Sequence, residues 1–168
     1  MQLSLVAVGK LRPALREVCD DYLGRLARFI RVTEREVREA GRAGTEQLQR
    51  ETEGRGLLEA VGEGTPMILL DLGGSGWSSE QLAAELDRWR LEGRDRALVI
   101  GGATGISPAV RQRAQSTWSL GPLTLPHELA RIVVVEQLYR ASTILQGTPT
   151  SAGGFFLGTA QSGSVAAH

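Results

Sequence analysis

Arg96-Ala97-Leu98-Val99-Ile100 (RALVI, residues 96–100), followed at once by Gly101-Gly102, is the stretch on which the fold turns. Four apolar residues in a row, with no polar alternation, mark a strand covered on both faces, as in a parallel sheet. Pro66–Leu72 (PMILLDL) has the same character, with a turn expected over Gly73–Gly76. Upstream, Gln2–Val8 is rich in β-formers and stops at Gly9, Arg31–Val37 alternates in polarity, and Trp118–Leu120 reads as a very short strand.

Helical spacing fills the gaps. Ala14, Leu15, Val18, Cys19, Tyr22, Leu23, Leu26 and Phe29 recur at 3,4 intervals over Pro13–Phe29, with Pro13 suited to the first turn. Thr45 caps a charged, mostly solvated helix to Val61, after a Gly- and Arg-containing loop at Ala40–Gly44. Ser78 and Gln81 have capping-box spacing ahead of a helix through Arg90, with a Leu82, Leu86, Trp89 stripe. Ser107-Pro108 opens a short helix ending near Gln115, and His127–Leu145 forms a last, strongly apolar one. Strands alternating with helices predict an α/β fold, a parallel or mixed sheet with crossover helices.

The 168 residues, 42% hydrophobic and 23% charged, suit one soluble domain, taken as residues 1–146. From Gly147 the composition shifts to Gly, Ser, Thr and Ala, so residues 147–168 read as a loosely attached or disordered tail. Nineteen basic and nineteen acidic residues cancel, so no global basic field advertises a nucleic-acid partner. A local patch, or charges from a second subunit, would have to serve. Cys19 stands alone, which excludes an internal disulfide, reads as an inert core residue and leaves no Cys/His cluster for a metal. Met1–Val8 lacks a basic leader, and no run approaches the ~20 apolar residues of a membrane span. The expectation is a cytoplasmic protein with no membrane and no metal.

Ligands of open α/β sheets bind beyond the carboxyl ends of the strands. Three such ends stand out: Leu70-Asp71-Leu72-Gly73-Gly74, Ile100-Gly101-Gly102-Ala103-Thr104-Gly105, and Leu120–Pro126. Their glycines permit close backbone approach to a ligand, although each alone is equally explained by a tight turn. No G-x-G-x-x-G follows the first strand and no Walker lysine loop exists, which argues against dinucleotide and P-loop sites. In Leu120-Gly121-Pro122-Leu123-Thr124-Leu125-Pro126-His127 two prolines bracket an apolar bend just before a helix. Such a bend offers backbone N–H and C=O groups beside apolar side chains, which suits a flat, polar-edged adenine. A hydrophobic connection packed on the core fits the same residues.

Several segments together are specific. Gln2–Lys10 (QLSLVAVGK), Gln81–Leu86 (QLAAEL), Leu98–Gly105 (LVIGGATG), Trp118-Ser119-Leu120 with Leu123–His127 (LTLPH), and Glu136–Ala141 (EQLYRA) occur in order. In these the chain resembles the ribosomal RNA large subunit methyltransferase H family of the SPOUT superfamily, across about residues 1–149. The resemblance implies a mostly parallel sheet flanked by helices, with a deep trefoil knot near the C-terminus. It also implies S-adenosyl-L-methionine as cofactor, a homodimer with sites near the interface, and N3-methylation of a pseudouridine in 23S rRNA of the assembled ribosome. Carried to matching positions, the cofactor site comprises Asp71, Leu72, Gly102, Gly121, Pro122, Leu123, Thr124, Leu125 and Pro126, with Gly101 supporting the turn. Candidates for handling the proton or the substrate are His127, Glu136, Tyr139 and Arg140.

For these the plainer readings stay open. Glu136 and Arg140 are four apart on one helical face and could form a simple ion pair. His127 could be a first-turn residue and nothing more, and Arg131, one turn on, could hold a phosphate or be plainly solvated. One departure stands out. The family typically closes on a Pro-Tyr-His motif, whereas Pro149 here is followed by Thr150-Ser151, and the remaining histidine is His168 at the end. That departure opens a second reading, a cofactor-binding, ribosome-associated SPOUT protein with impaired or lost catalysis. A SPOUT enzyme with another RNA target and an unrelated α/β nucleotide-binding module are further alternatives.

Overall fold

The computed structural model describes residues 1–42 and 44–147. The element order is β1 (Gln2–Val8), α1 (Pro13–Leu26), β2 (Arg31–Val37), α2 (Glu46–Val61), β3 (Met67–Ser75), α3 (Ser79–Glu92), β4 (Arg96–Ile100), α4 (Pro108–Arg113), β5 (Ser116–Trp118) and α5 (His127–Gln146). The strands form one sheet in the order β2-β1-β4-β3-β5. All neighbouring pairs are parallel. The expected mostly parallel sheet flanked by helices is therefore what the chain forms.

β4 lies between β1 and β3, and all five of its residues are buried, which is why RALVI carries no alternation. Helices cover both faces. On one, α1, α3 and α5 close over Leu3, Leu5, Ile68, Leu98 and Ile100. On the other, α2 and α4 pack on Val6, Val8, Met67, Leu69 and Val99. The predicted caps are in place: Thr45 accepts from Leu48 N at 3.1 Å, and Ser78 and Gln81 form a reciprocal capping box. Cys19 is fully buried, as expected.

Several boundaries differ from the sequence reading. The first helix stops at Leu26 instead of Phe29, and the last strand occupies 116–118 instead of 118–120. The turn expected at Gly73–Gly76 is largely strand. β3 runs on to Ser75, with Trp118 of β5 paired first to Leu70 and again to Ser75 across a register shift. Gly74 makes that return possible, because a Cβ there would lie 2.7 Å from Trp118 N and from the Thr117 carbonyl carbon. Trp118 then stacks on Trp77 at 5.7 Å.

Arg131 is a further correction, since it neither faces solvent nor is free for phosphate. It is 0% exposed. Its Nη2 donates to the Gly9 carbonyl at 2.8 Å and its Nη1 to Glu36 at 2.7 Å, with Glu34 3.5 Å away. Arg16 of α1 reaches the same two carboxylates, at 2.5 Å to Glu34 and 3.2 Å to Glu36. Burial opposes ionisation of Glu36, but the Arg131 hydrogen bond and the charges of Arg131 and Arg16 outweigh it and hold the carboxyl below its ordinary range. Glu128 adds a second tie, accepting from the Arg12 backbone N–H at 2.8 Å. α5 is thereby fastened to the end of β1, the edge of β2 and the start of α1. Arg131→Met removes the buried charge that balances two carboxylates and should cost about 3–5 kcal/mol of stability in urea unfolding. Leu91→Ala, at an 82% exposed position, should stay within about 0.5 kcal/mol.

Candidate functional site

The carboxyl ends of β3, β4 and β5 and the bend before α5 enclose a cavity of about 660 Å³, well inside the range of small-molecule sites. Of the residues singled out in the sequence, Asp71, Leu72, Gly101, Gly102, Leu123, Thr124, Leu125, Pro126 and His127 line it. Gly121 and Pro122 stand at the root of the bend, outside the lining. Gly121 has φ +114°, a left-handed conformation suited to glycine. Ser119 Oγ holds it by accepting from Gly121 N and donating to Gly121 O, both at 3.2 Å.

The paired glycines after β4 stand where a side chain would crowd its neighbours. A Cβ on Gly101 would lie 2.4 Å from Ile106 Cδ1, and one on Gly102 would lie 2.8 Å from Glu53 Oε2 and 3.0 Å from Val8 Cγ1. These contacts exceed what a tight turn alone demands, because the backbone is pressed against helix α2 on one side and the cavity on the other. Arg111 also lines the cavity and pairs with Asp71, closing its rim with an ion pair between β3 and α4. Spacing could not have shown this pair, which joins residues forty positions apart. Ile106, Trp118 and Ala130 also line it without having been singled out for it.

The remaining candidates sit elsewhere on α5. Glu136 lies nine residues beyond His127, about 13 Å along a helix, and outside the cavity lining. It accepts from Arg140 Nε at 3.0 Å and from Gln137 Nε2 at 2.6 Å, and Gln137 in turn accepts from Ser79 at 2.6 Å. Tyr139 packs its ring 6.2 Å from both Tyr22 and Phe29, between α1 and α5. His127 alone of the four reaches the cavity, beside the β1 end, where a Cβ on Gly9 would lie 3.8 Å from its Nε2.

Glu53 was not among the candidates, yet it is 4% exposed and abuts Gly102. Burial, with Glu39 adding to it, pushes its carboxyl above the ordinary range. Its signal was in the sequence, since Glu53, Leu57 and Val61 fall at i, i+4, i+8 and all three are buried. Among the described residues no group of three or more His, Cys, Asp or Glu could hold a metal, and no helix is long and apolar enough to cross a membrane.

A wholly parallel α/β sheet with a cavity at its carboxyl edge defines an α/β protein with its candidate ligand site beyond the strand ends. A methylase family protein from Neisseria gonorrhoeae shares the fold with a TM-score of 0.54, at 13% identity over 89% of this chain and 95% of that one. The chain belongs to the SPOUT methyltransferase family, whose description, "Predicted SPOUT methyltransferase", matches residues 1–150. It is 45% identical over 152 residues to the protein named ribosomal RNA large subunit methyltransferase H in Methylococcus capsulatus, spanning 89% of this chain and 98% of that one. It is 40% identical over 153 residues to the protein of the same name in Hahella chejuensis, spanning 89% and 97%.

The buried thiol gives a check on the packing beside this site. Burial, with the Glu34 charge adding to it, pushes Cys19 up to about 11, so at pH 8 the folded protein holds a protonated, inaccessible thiol. Labelling by a thiol reagent at pH 8 should be slow in the native state and become rapid at the urea midpoint. Rapid native labelling would contradict the packing of α1 on the sheet.

Proposed function

We propose that this chain is an S-adenosyl-L-methionine-dependent methyltransferase that methylates N3 of a pseudouridine in 23S rRNA of the assembled ribosome. The observation that carries the reading is the cavity at the strand ends of a chain in this family, walled in part by the close-packed backbone at Gly101 and Gly102. The residues present suit the cofactor. Leu123–Pro126 offer apolar surface and backbone edges for adenine, and Asp71 and the Gly101–Gly105 backbone offer polar partners for ribose and the amino-acid tail. The trefoil threading of the last helix implied by the resemblance belongs to the same proposal.

When bound, the cofactor supplies an electrophilic methyl group on a sulfonium. The protein's part is chiefly positional, holding the ring nitrogen in line with that methyl group and excluding water. His127, at the cavity, is placed to meet the base or its departing imide proton. Glu136 and Arg140 lie too far along α5 to meet the cavity of their own chain. A two-fold dimer packed across α5 would bring them to the other copy's cavity, and Leu129 and Ile144, 39% and 40% exposed on α5, are apolar surface for it to cover. Light scattering should give about twice the monomer mass, and a monomer would remove the shared site.

Thr150-Ser151, where the resemblance leads one to expect Tyr-His, lies outside the described residues, as does the tail 148–168. The second reading, cofactor binding with lost catalysis, rests on that departure. Incubation with ribosomes and methyl-labelled cofactor separates the two. The enzyme reading expects label in large-subunit rRNA, whereas cofactor binding without any transfer selects the second reading. With zero net charge on the chain, a short free hairpin should be a poor substrate beside the ribosome.

A further inference from the structure

One titratable group next to the cavity has no part in the reading above. Glu53 Oε2 is closed off from solvent with no hydrogen-bond partner among the described residues. Arg96 and Arg131 also carry an unpartnered Nε, but their guanidinium ends are bonded to Glu92 and Glu36. Glu53 has neither an ion pair nor a hydrogen bond of this kind. The fourth such atom is Thr104 Oγ1, in the same turn that Glu53 backs. Arg50, one turn earlier on α2, donates to the Thr104 carbonyl at 3.2 Å, so α2 braces this turn from behind.

The position of the carboxyl group is fixed by Gly102. A Cβ there would meet both carboxyl oxygens, at 2.8 and 3.2 Å, while Gly102 itself lines the cavity. A single glycine therefore separates the acid from the cavity. An apolar side chain would pack this place at less cost, and a buried acid with no partner for its Oε2 among the described residues points to a bound partner. Burial, with Glu39 adding to it, raises this carboxyl above its ordinary range, in keeping with an acid that lacks a counter-charge among the described residues.

Resting on the assignment of the cavity to the methyl donor, we propose that Glu53 is a specificity-determining residue that attracts the cofactor's sulfonium across Gly102. It makes the pocket prefer the charged donor to the neutral thioether, S-adenosylhomocysteine, left after transfer. The two ligands share adenine, ribose and the amino-acid tail, and they differ by one methyl group and one positive charge at sulfur. Contacts to the shared parts cannot tell them apart, whereas a carboxylate in a low-dielectric wall acts on that charge. Once the methyl group has left, sulfur is neutral and the attraction is gone, which favours exchange of product for fresh donor.

Calorimetric titration of the full chain with each ligand tests this. Glu53→Gln keeps the shape and removes the charge. It should weaken S-adenosylmethionine by about tenfold, the scale of one partly screened charge pair, and leave S-adenosylhomocysteine within about twofold. Equal losses for both ligands, or an unchanged ratio, would overturn the role of Glu53. A second measurement needs no variant: an analogue carrying a protonated amine in place of the sulfonium should bind the unsubstituted protein more tightly than S-adenosylhomocysteine. Equal affinities would also overturn it. If none of the three ligands binds the unsubstituted protein, the cofactor reading itself fails. If all bind and only the preference is missing, Glu53 alone loses its role.

Discussion

A guanidinium has five N–H donors and cannot shed its charge inside a protein, so a fully buried arginine dictates what must surround it. Arg131 finds its acceptors where α5 meets two other elements: the Gly9 carbonyl after β1 and the Glu36 and Glu34 carboxylates of β2. Arg16 of α1 shares the two carboxylates. These contacts form in one placement of α5, and they oppose its sliding or rolling on the sheet. His127 and Ala130, one turn or less from Arg131, line the cavity, so the charge cluster fixes the floor of the site as well as the helix. Glu128, on the same stretch of helix, ties the chain at Arg12 from the other side.

The cavity is bounded on its opposite side by absent side chains. Gly101 and Gly102 let the chain leave β4 pressed against Ile106, Val8 and Glu53, and Gly74 lets the end of β3 lie on the backbone of β5. Each contact is closer than a Cβ would permit. A parallel sheet with β4 at its centre opens a crevice where successive connections diverge, and these glycines let the backbone at its edge pack closely on the elements behind it. The floor is thus set by a buried charge and the wall by missing methyl groups, two constraints that act independently.

Most of the elements could be read from local pattern, because α5, α3, β1 and β4 carry their instructions in caps, stripes and unbroken apolar runs. The errors cluster where distant contacts decide. β3 continues through Gly73-Gly74 because β5 comes back to pair with Ser75, and glycines in sequence argue for a turn whatever lies beside them. Arg131 looks like any polar residue on an apolar helix, since its acceptors lie about a hundred positions away. The Asp71–Arg111 pair is hidden for the same reason. At the site, the bend and the glycine turns were legible as motifs, and eight of the ten proposed cofactor residues line the cavity together with His127, while Gly121 and Pro122 stand at the root of the bend. Glu53 was legible in principle, being in register with Leu57 and Val61, but a glutamate on a charged helix reads as solvated until its neighbours are known.

The placement of candidates along α5 separates two tasks that the resemblance treats as one site. The His127 end borders the cavity, whereas Glu136 and Arg140 form a pair roughly 13 to 20 Å further along the helix axis. A single chain can therefore wall the cavity proposed for the methyl donor by itself, with β3, β4, β5 and the bend all its own. Its substrate side, on the proposed reading, needs a second copy to bring the acid–arginine pair within reach. Donor binding and methyl transfer then depend on different parts of the molecule, the first on folding alone and the second on assembly. The Tyr-His end that the resemblance leads one to expect on the RNA side is replaced by Thr150-Ser151 in this sequence, which is why a donor-binding protein without transfer is a coherent alternative for it.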